Sequence, residues 1–167
     1  MLRRTVDLMK RRLLFLAAAL ALTTAVDAQT RAVRISGPKQ VSVTAADLAA
    51  MPRTKAIATA QGKTDTYEGV LVRELLTKAG VPAGEALRSK DLALAVIVTG
   101  GDGYRAAFGV AEFDPAFTDR VAILADKKNG APLAGTEAPF QLVLTGEKRP
   151  SRWVRQVVSI EVVAVGR

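Results

Sequence analysis

Thr64-Asp65-Thr66-Tyr67-Glu68-Gly69-Val70-Leu71-Val72-Arg73-Glu74-Leu75-Leu76, running on to Ala79-Gly80-Val81-Pro82, passes from a strand pattern into a helix pattern and then stops. Thr64–Tyr67 and the upstream Ala56–Ala60 read as strands around Gln61-Gly62-Lys63, a hairpin-like turn. Val70, Leu71, Leu75, Leu76 and Ala79 then fall on one helical face. Gly80 supplies the C-terminal cap and Pro82 blocks continuation. A hairpin feeding a short amphipathic helix is the nucleus of the predicted fold.

Outward from that nucleus, short strands dominate. Ala32–Ser36 alternates and ends at Gly37-Pro38, and Val41–Val43 alternates again. Thr44 is placed as an N-cap with Asp47 at the third helical position, opening a short helix through Ala50 that Pro52 ends. Downstream, Leu92–Val98 and Val121–Ala125 are apolar enough for buried strands. Thr99-Gly100-Gly101-Asp102-Gly103 makes a tight turn into a strand over Tyr104–Phe108. Asn129-Gly130 marks a turn that wants positive φ. Gln141–Thr145 and the β-branched Val157–Val163 complete the set. Short strands with two or three short helices predict an α+β domain.

Composition narrows the chemistry. The chain has 167 residues, 49% hydrophobic and 24% charged, with no histidine and no cysteine. Nucleophiles that depend on an imidazole base are excluded, as are disulfides and redox dithiols. Zinc, haem and iron–sulfur clusters lose their usual ligands, so none of them is expected. No acidic pair has the spacing of a catalytic dyad or a calcium loop, so no catalytic and no metal residue is assigned.

The N-terminus reads as an address. Arg3, Arg4, Lys10, Arg11 and Arg12 precede an apolar run from Leu13, and Val26-Asp27-Ala28 places small residues at a cleavage site. Residues 1–28 are therefore expected to be a signal peptide, with Met9 as an alternative start, leaving one domain over 29–167. The apolar run falls short of the roughly 20 residues of a membrane span, so no stable span is expected after cleavage. Arg11-Arg12 fits a twin-arginine signal, and the general secretory route also favours a basic start. A periplasmic location is the expectation. Losing five Lys/Arg and two Asp with residues 1–28 takes the net charge from +8 to +5. A basic protein outside the cytoplasm points to an anionic small molecule as partner, and no aromatic-interleaved basic platform suggests nucleic acid.

Two segments can hold an anion. Gly101-Asp102-Gly103-Tyr104-Arg105 offers glycine N–H groups and a planar cation, although the same residues make an ordinary hairpin turn. Gly146–Arg155 carries Lys148, Arg149, Arg152 and Arg155 with Ser151 and the single Trp153. Arg149, Ser151 and Arg152 can form a phosphate pocket with Trp153 packed beneath Arg149 or Arg152, or the run is a solvated basic loop with one aromatic anchor.

Taken in order, these pieces resemble the oxidoreductase molybdopterin-binding domain family, which has the sulfite-oxidase-like fold. Tyr67–Leu76 with Ala79-Gly80-Val81 resembles its aromatic-x-Gly-Val-x-Leu-x-x-Leu-Leu…Ala-Gly stretch. Gly101-Asp102-Gly103-Tyr104 resembles its Asp-Gly-Tyr turn, and Asn129-Gly130-Ala131-Pro132-Leu133 its Asn-Gly-x-Pro-Leu segment. Leu142–Gly146, Arg152–Arg155 and Ile160–Val162 resemble its ending. The resemblance implies a molybdopterin cofactor, with Arg149 and Arg152 near the pterin phosphate. It also implies a metal-ligand cysteine near Ala58, Thr59 or Ala60, where this chain has none, and histidines around the cofactor, which it also lacks. Three functions follow as expectations. The first is a binding or accessory module holding an anion or pterin phosphate through Arg149, Arg152 and the Gly101–Tyr104 turn. The second is an oxidoreductase working without the cysteine, with Arg73, Arg105 or Arg155 as anion clamps. The third is a structural exported domain.

Overall fold

A computed structural model describes residues 32–165. The predicted signal peptide lies outside the described residues. Two five-stranded sheets carry the fold. The first has the order β2-β1-β10-β5-β6, from β1 (Val33–Ser36), β2 (Gln40–Val43), β5 (Leu94–Gly100), β6 (Arg105–Gly109) and β10 (Val157–Ala164). Only β1 and β10 run parallel in it. The second has the order β3-β4-β7-β8, with β9 also on β7, from β3 (Thr54–Ala60), β4 (Lys63–Leu71), β7 (Ala122–Lys128), β8 (Ala131–Pro132) and β9 (Gln141–Leu144). Among the described residues two α-helices, α1 (Ala45–Ala50) and α2 (Val72–Lys78), and five short 3₁₀ turns join the strands. No helix among the described residues is long and apolar enough to cross a membrane.

Strand alternation fixes which face goes inward. Along β3, Ala56 and Ala58 are buried while Lys55, Ile57 and Thr59 face out. β9 has no exposed face: Leu142, Val143 and Leu144 are each fully buried, worth about 1.5–3 kcal/mol apiece in transfer free energy. That makes β9 the centre of the core.

Local chemistry sets the ends of the elements. Thr44 Oγ1 accepts from the Asp47 N–H at 3.2 Å, and Asp47 Oδ2 accepts from the Thr44 N–H at 2.8 Å, closing the predicted capping box on α1. The Thr44 N–H, with the Thr44 hydroxyl donating to the same oxygen at 2.7 Å, holds the Asp47 carboxyl below its ordinary pKa. Asn129 and Gly130 take φ of 51° and 82° in the turn between β7 and β8. Gly80, at φ 82°, donates to the Thr77 carbonyl while Val81 donates to that of Leu76, ending α2 as predicted.

The start of α2 differs from the sequence reading. Val70 and Leu71 belong to β4, where they pair with Leu124 and Ile123 of β7, and the helix begins at Val72. Their β-branched and branched side chains meet the ladder and the core together, so tertiary pairing overrides the helical spacing. Leu92 likewise lies in a 3₁₀ turn, Ser89–Ala93, and β5 alternates between buried and half-buried positions because one face of its sheet is open. Close backbone approach is met by glycine: a Cβ on Gly69 would lie 2.1 Å from the Leu124 carbonyl oxygen. The β4–β7 register shifts at that point, between Glu68 and Gly69.

Candidate functional site

The β3–β4 hairpin carries one line of residues from core to surface. Ala56 pairs with Tyr67, Ala58 with Asp65 and Ala60 with Lys63, so these six share a face. Beyond the alanines that face opens into a cleft of about 320 Å³, lined by Ala60, Gln61, Lys63, Asp65 and Tyr67 of the hairpin. Lys128 at the end of β7, Glu137, Gln141 at the start of β9, and Pro150, Trp153 and Arg155 close it. The small Ala60 leaves part of the space; a larger residue there would fill it.

The 150–157 segment is held along β9 by backbone bonds. The Leu142 N–H donates to the Val154 carbonyl at 2.8 Å and the Val157 N–H to the Phe140 carbonyl at 2.9 Å. This brings Trp153 edge-on to Tyr67, with ring centroids 5.6 Å apart. Gly100 makes room for the same segment, since a Cβ there would lie 2.6 Å from the Arg155 carbonyl oxygen.

One wall of the cleft is a charge network of two carboxylates and Lys128, with Lys63 Nζ 3.6 Å from Asp65 Oδ1 at its edge. Lys128 Nζ lies 3.1 Å from Glu137 Oε1 and 3.4 Å from Asp65 Oδ2, and 5.3 Å from the centroid of the Tyr67 ring. Asn129 Nδ2 donates to Asp65 Oδ1 at 2.8 Å. That bond, with Lys128 and Lys63 and against the effect of burial, holds the Asp65 carboxyl below its ordinary pKa. Burial disfavours the Lys128 charge, but bonding to Glu137 and Tyr67 outweighs it and raises the ammonium above the usual lysine range. Burial pushes the Tyr67 phenol up, with Lys128 opposing.

The other wall is unsatisfied. Gln141 Oε1 and Trp153 Nε1 are both buried and have no hydrogen-bond partner. An unpaired buried polar group costs about 1–3 kcal/mol, and this acceptor and donor belong to side chains that line one cavity. Lys63 and Arg155 stand at the rim, and three cations against two carboxylates leave the lining at +1. Among the described residues Arg155 has no ion-pair partner.

The two segments singled out from the sequence are joined, though not around the cleft. The Gly101 N–H donates to the Gln156 carbonyl at 2.8 Å and Tyr104 Oη to the Ser151 carbonyl at 2.6 Å. Within the turn, the Gly103 N–H goes to the Gly100 carbonyl and the Tyr104 N–H to Asp102 Oδ1. Those N–H groups are therefore used inside the chain. Arg105 points outward on the far sheet, in register with Thr99. Arg152 bonds Glu147 and Glu112 and lies over the Phe108 ring at 4.7 Å, so Trp153 packs on Tyr67 and not beneath an arginine. The Glu147 bond raises the Arg152 pKa against burial. Arg149 and Ser151 are exposed. From the basic run the cleft takes Pro150, Trp153 and Arg155. Gln141 and Glu137 were missed, because neither stands in a motif.

A molybdenum centre does not fit this donor set. Of Ala58, Thr59 and Ala60, near which the resemblance expects a cysteine, Ala58 is buried, Thr59 faces out and Ala60 lines the cleft, and the whole chain offers no thiol and no imidazole. Among the described residues no three acidic side chains gather where a metal could sit. No side chain of the soft, thiolate or imidazole type is present to ligate a soft metal.

No protein-family model and no curated protein matches the chain. Among solved structures it is similar to the sulfane dehydrogenase SoxCD from Paracoccus pantotrophus, with a TM-score of 0.64 and 22% identity. The match covers 82% of this chain and 39% of that one. At that identity the likeness shows the fold: the chain is an α+β, mostly stranded domain of the sulfite-oxidase-like kind.

Proposed function

We propose that this chain is an exported periplasmic binding module that holds a small anionic heterocycle, a pterin phosphate or a ligand of similar chemistry, without redox turnover of its own. The observation that carries the reading is the pair of unpartnered buried atoms, Gln141 Oε1 and Trp153 Nε1, on side chains lining a cleft with a net positive rim. Both atoms are shielded as they stand, so a small side-chain rotation on binding lets Gln141 Oε1 accept from a ligand N–H and the indole N–H donate to a ligand carbonyl or ring nitrogen. Lys63 and Arg155 take the phosphate at the mouth, with the exposed Arg149 one residue before Pro150 extending the basic rim. Tyr67 and Trp153 supply apolar walls for a planar ring. The Asp65–Lys128–Glu137 network carries one carboxylate more than Lys128 balances and draws on Lys63 for the rest, so Arg155 is the cation free for the anion and Lys63 is shared.

The test is the content of the protein purified from its own periplasm. Release of a pterin or phosphate-bearing small molecule near one per chain, with molybdenum far below one, is expected from mass spectrometry and metal analysis. Stoichiometric molybdenum with pterin would overturn the reading in favour of an oxidoreductase. Absence of any released or added anionic ligand would leave a purely structural domain.

A further inference from the structure

The outer face of the first sheet holds a second polar hollow, separate from the cleft. Strand register places Ser42, Arg34, Ser159, Thr99 and Arg105 in one row across β2, β1, β10, β5 and β6. Gln40, Ser36 and Glu161 form the next row. Arg34, Ser36, Gln40, Ser42, Ser159 and Glu161 line a cavity of about 550 Å³ there. Its chemistry is hydroxyls, one amide, one guanidinium and one carboxylate.

The two charges do not meet. Among the described residues neither Arg34 nor Glu161 belongs to any ion pair. They stand diagonally on adjacent parallel strands, one strand spacing apart and offset by two residues, or about 8 Å between backbones. Side chains of this length can bridge that distance. Glu161 instead accepts from Ser159 Oγ at 3.3 Å, along its own strand. A guanidinium and a carboxylate are thus held apart over a floor of serine hydroxyls.

We infer that this hollow is a binding site for a small zwitterion of the amino-acid or dipeptide class. The ligand carboxylate pairs with Arg34 and the Ser42 hydroxyl, and the ligand ammonium with Glu161 and the Ser36 hydroxyl. A simple anion would meet the Glu161 carboxylate, and a simple cation the Arg34 guanidinium, so each singly charged ligand is opposed by one wall. Only opposite charges separated within one molecule satisfy both. No aromatic side chain lines the hollow, which leaves a stacking ligand without a platform.

Glycylglycine is the probe, titrated into isotope-labelled full-length mature protein. Saturable shifts of the Arg34, Ser42, Ser159 and Glu161 amides are expected. Blocking either end, as N-acetylglycylglycine or glycylglycinamide, should weaken binding roughly tenfold or more, the effect of losing one charged contact. Arg34→Ala and Glu161→Gln should each do the same while phosphate binding at the cleft is unchanged. Equal binding of either blocked peptide, binding indifferent to both substitutions, or no shift at millimolar peptide would each overturn the inference.

Discussion

Gly69→Ala tests the packing that positions the cleft. A Cβ at residue 69 would sit 2.1 Å from the Leu124 carbonyl oxygen and 2.6 Å from the Ala125 Cα. Both are backbone atoms of β7, so no side chain can rotate away, and the strand itself must retreat by about 1 Å to reach ordinary contact. Overpacking usually costs about 1–3 kcal/mol, and a rigid neighbour places this substitution at the upper end, about 3 kcal/mol. For a domain of this size that is a fall in Tm of roughly 10 °C. The strain falls beside the Tyr67–Lys128 pair, so the cleft wall shifts with it. Gly109→Ala is the control: nothing lies within 4 Å of its Cβ position, and its φ of −69° suits alanine. Urea unfolding followed by circular dichroism gives both numbers. A Gly69→Ala protein within about 0.5 kcal/mol of the parent, or a Gly109→Ala protein equally damaged, would refute the reasoning.

Three further substitutions probe other parts of the account. Asn129→Gly keeps the positive φ of the turn but removes the bond that most lowers the Asp65 pKa. Because the folded pKa is depressed, its stabilisation is present above the unfolded value of about 3.9 and is lost as pH falls through the folded value. The stability gap between parent and variant should therefore narrow below about pH 4, leaving a pH-independent part from the lost bond to the Thr66 N–H; a gap constant from pH 2 to 7 in urea melts would contradict it. Thr44→Ala should cost about 1 kcal/mol by removing the α1 cap, read as a lowered urea midpoint with unchanged slope. Arg152→Met should cost about 1 kcal/mol through Glu147 and Glu112 yet leave ligand affinity at the cleft intact. Weakened binding would return Arg152 to the site.

Local signals were legible wherever a residue's partner lies nearby in the chain. The Thr44–Asp47 box, the Asn129-Gly130 turn and the end of α2 at Gly80 all close within five residues. The start of α2 was not legible, because Val70 and Leu71 are claimed by β7 more than fifty residues away. The same separation hid most of the site. Arg152 looks free in its basic run, and its second carboxylate partner, Glu112, stands forty residues before it. Gln141 reads as one polar residue opening a strand; only the fold sets it in one cavity with Trp153 and leaves both polar atoms without partners. What the sequence did place near the cleft was Arg155 and the missing thiolate, the latter because Ala60 ends the strand that lines it.

The central claim is that the cleft binds an anionic heterocycle through Gln141, Trp153 and its basic rim. Trp153 is the only tryptophan in the chain, so its emission reports on that cleft alone. Titrating the metal-free mature protein with a pterin carrying a carboxylate or phosphate should give a saturable, one-site change in Trp153 emission. Gln141→Leu should weaken it roughly tenfold or more while leaving stability equal or higher, since it removes an unpaired buried acceptor. Lys63→Ala with Arg155→Ala should weaken it at least as much. A change that never saturates, or an affinity untouched by these substitutions, would contradict the account.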